Sequence, residues 1–446
     1  MEYHCECYIC KNNLPFNIPK EIINSSIKGN LVLFTGSGVS TESKYVYPYT
    51  LYEDICDELN LDCNKLNLSF SKLMSKYCNS QTDGRKKLLE KIKYRIDYVK
   101  SFHALYTTAT RFHKELSSIY LIKNIFTTNW DDLFELECDC VPIVTSADFA
   151  FWDLPDRKIF KIHGSINNVG SIIATEKDYN ICYKNLKSNL LGSSLKMALA
   201  TKTLVFIGYS FEDEDFQRLI KLLKKELNNL FPHIYVVTLD KDIQLKIKNY
   251  NITTIITDGT FFIHSLKKEL IKRYYLLDDK KFDRIPILLE YTSFIHTEIM
   301  EEFDVHKNPY YLYSYFYQDG LIDSFDRILR KKKTGEYSDV ENLYGVIKNY
   351  EKIKKEKLKI KKYTDISYID GYIMGLYSLM MDNKHLKKFP FYYLYNNKDF
   401  MHSLSTFRKA SKKTHLYNKS ALKYAQKYIG TFSSKDTKFQ HTPFLL

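Results

Sequence analysis

The chain has 446 residues, 44% hydrophobic and 27% charged, which allows a large core and two or three domains and excludes global disorder. No apolar run approaches the ~20 residues of a bilayer-spanning helix. The start, MEYHCECYIC, lacks the basic-then-apolar layout of a secretory leader, so the expected location is cytoplasmic, with the nine cysteines reduced.

The first residues bring His4, Cys5, Cys7 and Cys10 close together in sequence. These are zinc-ligand types, but the spacing is loose, and plain reduced thiols are the competing reading. From about residue 17 to 275, short strand-like runs alternate with helical patterns. The strand candidates are LVLFT, KNIFTT, KIFKIHG, TLVFIGYS, HIYVVTL and ITTIIT. Several lack polar alternation, as strands buried on both faces of a parallel sheet do. Between them, TLYEDICDELN, RKKLLEKIKYRIDYVKSF, EDEDFQRLIKLLKKEL and FFIHSLKKELIKRYY read as helices. The alternation predicts an α/β fold, a Rossmann-like open parallel sheet covered by helices.

After about residue 280 the strand runs become scarce, and Tyr- and Lys-rich helical patterns such as EYSDVENLYGVIKNYEKIKKEKLKIKK take over. RIPILLEY fits either a stray strand or the start of a helix. The expected organisation is an amino-terminal extension over 1–16, an α/β domain over 17–279 and a mostly α-helical domain over 280–446. The net charge is +13, and about +10 of it falls after residue 380. A basic tail of this kind meets nucleic acid, an acidic partner or solvent, and no nucleic-acid-binding module accompanies it.

In open α/β sheets ligands bind beyond the carboxyl ends of the strands, and four motifs fall there. Gly36-Ser37-Gly38, followed by Ser40, ends the first strand. Such a loop is either a tight turn or a phosphate cradle. In TTNWDDLFE, Asn129 and Asp131 follow a strand, where helix capping is the simpler role. His163 in KIHGS ends another strand. In FIGYSFEDED, Gly208 and Ser210 precede acids, among them Asp213 and Asp215, that suit a helix start.

The order Gly-x-Gly-x-Ser, Thr-x-Asn-x-Asp, His-Gly, Gly-x-Ser resembles the sirtuin family over about residues 17–275. The resemblance implies that Gly36, Ser37, Gly38 and Ser40 face the NAD+ phosphates and ribose. It further implies that Asn129 and Asp131 hold nicotinamide and its ribose, with His163 as general base. Gly208 and Ser210 would line the ribose side, and Asp240, after YVVTL, would meet the adenosine ribose. The zinc module of deacylase sirtuins, two Cys-x-x-Cys pairs after the histidine, is missing, since only Cys182 follows His163. The Gly-Ile-Pro-Asp-Phe-Arg segment is replaced by KYVYPYT, and the glutamine before the asparagine is Thr128. These departures match the zinc-less sirtuin-like branch of bacterial anti-phage defence systems, whose members look like NAD+ hydrolases. The function implied is an NADase effector that cleaves NAD+ to nicotinamide and ADP-ribose in abortive infection, with NAD+ as substrate and no metal. The rival readings are a zinc-free deacylase or ADP-ribosyltransferase, and a non-catalytic NAD or ADP-ribose sensor. The aromatic clusters NPYYLYSYFYQDG and FPFYYLYNN suggest a subunit contact. They point to a homo-oligomer, or to a complex with a partner such as a HerA-type ATPase or a phage-sensing protein.

Overall fold

The computed structural model describes residues 16–41, 43, 46–63, 68–209, 214, 217, 218, 221, 233–240, 251–397, 401–432 and 439–444. The chain forms two compact units. One runs to Arg273 and includes Lys333–Gly335; the other comprises Tyr274–Lys332 and continues from Glu336.

The first unit is built on a parallel sheet of β1 (Leu31–Thr35), β2 (Asn124–Thr127), β3 (Val141–Ile143), β4 (Lys158–Lys161), β5 (Thr203–Ile207), β6 (Ile234–Thr238) and β7 (Ile252–Ile256). The spatial order is β3-β4-β2-β1-β5-β6-β7, and every pairing is parallel. β1 and β4 are buried throughout; the apolar run of β1 predicts this, whereas β4 is buried although a lysine stands at each end. Chain direction across the sheet reverses at β1 and β5, so the topological switch point lies between these two strands.

One phenylalanine from each of four adjacent strands falls in register on one face: Phe206, Phe34, Phe126 and Phe160. Their rings stack at 4.5, 5.0 and 4.5 Å. Leu191, Leu195 and Leu199 of the helix Leu190–Thr201 pack on this face. Helix Gly259–Lys272 begins against Ile207, the residue after Phe206, so it covers the opposite face. The Rossmann-like architecture is therefore as the sequence pattern predicts. Only β3 escaped notice. It is a three-residue edge strand containing Pro142, and proline is tolerated in a sheet mainly at an edge.

The second unit is mostly helical, with helices Ile285–Glu302, Leu312–Arg330, Val340–Lys359, Tyr363–Ser378 and Lys419–Ile429. RIPILLEY is thus a helix start, with proline in the first turn. Helices 312–330 and 363–378 cross at glycines. A Cβ on Gly320 would lie 2.0 Å from the Tyr368 carbonyl oxygen, and one on Gly371 would lie 1.8 Å from that of Tyr317.

The aromatic clusters require a correction. Tyr310, Tyr313, Tyr315, Phe316, Tyr317, Phe389, Phe391 and Tyr392 are buried in this unit's own core. Their hydroxyls find backbone carbonyls: Tyr310 donates to Tyr395 at 2.8 Å, Tyr313 to Ala421 at 2.7 Å and Tyr317 to Pro390 at 2.7 Å. A buried tyrosine needs such an acceptor, so these clusters are not an exposed subunit contact. No described helix is long and apolar enough to cross a membrane.

Candidate active site

All the described residues singled out in the sequence sit beyond carboxyl ends of strands. Gly36, Ser37, Gly38 and Ser40 follow β1, Asn129 and Asp131 follow β2, His163 follows β4, Gly208 follows β5 and Asp240 follows β6. Ser210, Asp213, Asp215, His4, Cys5, Cys7 and Cys10 lie outside the described residues.

Four of them form one hydrogen-bonded group that joins the loops after β1 and β2, beside the switch point. Asn129 Nδ2 donates to the Gly36 carbonyl at 3.1 Å and to Ser40 Oγ at 3.1 Å. Ser40 Oγ donates to Asp131 Oδ2 at 2.8 Å. Asp131 Oδ1 accepts from the Leu133 backbone N–H at 3.2 Å, so Asp131 does bond near a helix start. Asn129 does not act as a cap. Its side chain crosses to β1, and its Oδ1 is buried without a hydrogen-bond partner among the described residues. An orphaned buried acceptor costs about 1–3 kcal/mol.

The glycines have a structural reason of their own. Gly36 N–H donates to the Ile207 carbonyl at 2.9 Å, and Gly38 N–H to that of Gly208 at 3.1 Å. A Cβ on Gly36 would lie 2.6 Å from the Gly208 oxygen, and one on Gly38 would lie 2.9 Å from it. Gly208 has a φ of +78°, which favours glycine. The loops after β1 and β5 therefore touch backbone to backbone. Ser37 and Gly38 remain exposed at the rim, while Ser40 is buried.

His163 lies one strand from Asn129. Their strands are paired with Thr127 opposite Lys161, and the register continues as the Ile162 N–H donates to the Thr127 carbonyl at 2.9 Å. His163 is 1% exposed, and its ring meets Tyr179 edge-on at 4.8 Å and Tyr183 at 6.1 Å. Burial pushes its pKa down to about 3, against an opposing pull from Glu214 and with a further push from Arg218. The imidazole is therefore neutral near pH 7. Asp240 N–H donates to Thr238 Oγ1 at 3.1 Å, a local turn.

Several neighbours escaped the sequence reading. Tyr209 OH donates to the Thr35 carbonyl at 3.1 Å and lies 3.2 Å from Thr128 Oγ1, bridging the ends of β5, β1 and β2. Arg218 lies over the rings of Tyr179 and Tyr183 at 5.1 and 5.4 Å, and its NH2 group is 2.7 Å from Glu214 Oε1. Lys161 is buried on β4 against Glu135. Its signal was weak, as one of two lysines at the ends of the strand Lys158–Lys161.

Ser40, Asn129 (4% exposed), Asp131 and His163 are all buried. No group of three or more potential metal ligands occurs among the described residues.

Residues 123–255 match the SIR2-like domain family. That span opens at β2, so the Gly36–Ser40 loop precedes it. The chain is 28% identical over 211 residues to the NAD(+) hydrolase ThsA of Cytobacillus dafuensis, covering 46% of this chain and 40% of that protein. It is 27% identical over 217 residues to the NAD(+) hydrolase ThsA of Enterococcus faecium, covering 47% and 43%. With Defense-associated sirtuin 2 of Bacillus subtilis it shares 24% identity over 290 residues, covering 61% of this chain and 27% of that one. The chain thus spans less than half the length of these curated relatives. Topology, motif order and the family match agree: residues 123–255 of this Rossmann-like sheet are similar to the SIR2-like domain family.

Proposed function

We propose that the chain is an NAD+ glycohydrolase that cleaves NAD+ with water to nicotinamide and ADP-ribose. The observation that carries this reading is the orphaned Oδ1 of Asn129, a buried acceptor held beyond the end of β2 and one strand from a neutral, buried histidine. A nicotinamide carboxamide N–H or a ribose hydroxyl would satisfy it. The names of the relatives support the same chemistry.

In the reaction the bond from the ribose carbon to the pyridinium nitrogen breaks. Its electron pair leaves with the ring nitrogen, which neutralises the cationic ring. A water oxygen then bonds to the ribose carbon, and its proton passes to a base. Asn129 would orient the carboxamide, with its Nδ2 already committed to Gly36 and Ser40 so that only Oδ1 points to the ligand. Ser40 and Asp131 would meet the nicotinamide ribose. Gly36, Ser37, Gly38, Gly208 and Ser210 would line the phosphate and ribose path, and Asp240 the adenosine ribose. His163 is unprotonated at neutral pH and would take the proton, with Glu214 favouring the imidazolium. Closure over these buried groups excludes bulk water from an oxocarbenium-like transition state. The chemistry needs no metal.

The biological reading is an effector that depletes NAD+ in anti-phage defence within the cytoplasm. The α/β domain over 17–279 would be catalytic, and the helical domain over 280–446 would assemble or regulate it, as a homo-oligomer or with a partner defence protein. Exposed Ile287, Tyr291 and Phe294, spaced along one face of helix 285–302, support such a contact better than the buried tyrosines do. Release of nicotinamide from NAD+ without any protein acceptor tests the function.

A further inference from the structure

The loop carrying Asn129 and Asp131 is held by several hydrogen bonds, although Asn129 Oδ1 is left without one. The Asn129 N–H donates to Thr127 Oγ1 at 3.0 Å, and the Trp130 carbonyl accepts from the Ile166 N–H at 2.7 Å. Asp131 spends its two carboxylate oxygens on Ser40 and on the Leu133 N–H. Its carbonyl accepts from Nζ of Lys161. Lys161 is 1% exposed, and the same ammonium lies 2.9 Å from Glu135 Oε1. Burial raises the pKa of Glu135, and Lys161 holds the rise back. A lysine is rarely placed wholly inside a sheet unless its charge is paired.

The position of this lysine is what gives it meaning. It ends β4, two residues before His163, and reaches the loop after β2 that holds Asn129. It is thus separated from the histidine along the chain only by Ile162, and it is a hydrogen-bonded neighbour of the asparagine loop. We propose that Lys161 is a positioning residue, fixing the Asn129–Asp131 loop relative to His163 and so setting the distance between the carboxamide grip and the base. Glu135 pairs with the Lys161 ammonium. This role rests on the NAD+ hydrolase reading for its catalytic consequence, though not for the anchoring itself.

The test compares the full-length wild type, Glu135→Gln, Lys161→Gln and the double variant Lys161→Met/Glu135→Gln. The double variant removes the bond to Asp131 without leaving a buried unpaired charge. Glu135→Gln keeps a lysine donor for the Asp131 carbonyl. Nicotinamide release gives kcat and KM for NAD+, and hydrogen–deuterium exchange reads the amides of residues 129–133. The double variant is expected to lose about 10²-fold in kcat, the scale of a small misplacement of reacting groups. KM should stay within about twofold, because nucleotide contacts outside the loop are untouched. Exchange over 129–133 should rise, while Glu135→Gln stays within a few-fold of wild type. Lys161→Gln, with a shorter neutral donor, should fall between them, and it carries the test if the double variant does not fold. A folded double variant with wild-type kcat, or with unchanged exchange, overturns the proposal. Equal losses in Glu135→Gln and the double variant at equal stability overturn it too, since the pair would then be merely structural. Faster exchange with no nicotinamide from any protein, wild type included, overturns the hydrolase reading and leaves the anchoring in place.

Discussion

Replacing His163 should make the protein inactive and, at the same time, less sensitive to mild acid. The imidazole is wholly buried, and its folded-state pKa is about 3, against an ordinary value of 6.5. A depressed histidine binds its proton only in the unfolded chain, so the folded state loses stability as pH falls below about 6.5 and stops losing it near 3. Between pH 7 and pH 5 one extra proton on the unfolded chain costs about 2 kcal/mol, at 1.36 kcal/mol per unit. That figure is insensitive to the folded pKa while the latter lies well below 5. Glu214 and Arg218 are the charged groups facing the ring. Glu214 sits below its ordinary carboxylate range, because hydrogen bonds to Arg218 and Ser71 outweigh the opposing effect of burial, so it stays ionised across this window. His113 offers a second buried histidine for comparison, one that feels the charges of Asp131, Glu137 and Lys161. It is buried edge-on against Phe134 at 4.3 Å, and burial lowers it to about 4. Urea unfolding of wild type, His163→Leu, His113→Leu and the double variant at pH 7 and pH 5 reads the effect. Each single variant should lose about 2 kcal/mol less than wild type over this interval, and the double variant about 4 kcal/mol less. Losses parallel to wild type in His163→Leu would show that the folded protein already carries a protonated His163, and would remove the argument for a neutral base.

Asn129→Ala should reduce nicotinamide release by about 10²-fold or more while the protein stays folded, as judged by circular dichroism and chromatography. Gly208→Ala should destabilise the first unit by at least about 1 kcal/mol, because it combines a φ of +78° with a Cβ 2.9 Å from the Val39 nitrogen; thermal melting checks this. Gly371→Ala, with a Cβ 1.8 Å from the Tyr317 oxygen, should lower the melting of the second unit by a few kcal/mol, whereas Gly345→Ala, with nothing near its Cβ, should raise stability slightly. A zinc-selective chelator should leave turnover unchanged; loss restored by added zinc would direct attention to His4, Cys5, Cys7 and Cys10.

The strands were legible because burial on both faces leaves runs such as LVLFT and TLVFI without polar alternation, a pattern that survives without knowledge of the fold. β3 was not legible, since a proline within three residues carries no periodicity at all. The site was legible as a set of strand-end motifs but not as a group. The contact of Ser40 with Asp131 spans 91 residues and exists only because β1 and β2 become neighbours. The capping role expected of Asn129 was reasonable chemistry for Asn before a helix, and crossover geometry sends the side chain elsewhere. The tyrosines of NPYYLYSYFYQDG misled for a different reason. Aromatic residues are enriched in interface cores and domain cores alike, and only the carbonyl partners of their hydroxyls separate the two. Lys161 was not singled out, because KIFK carries a lysine at each end and the partners of this one, Asp131 and Glu135, lie on another strand's loop and helix.

The most direct test follows NAD+ with the purified full-length chain and separates products by chromatography, beside Asn129→Ala and His163→Ala, alone and with candidate partner proteins. The structure-based account predicts nicotinamide and ADP-ribose in equal amounts from wild type, with no protein acceptor, and at least about 10²-fold less from either folded variant. Nicotinamide release that requires an acylated protein, or that persists in either variant, would contradict it.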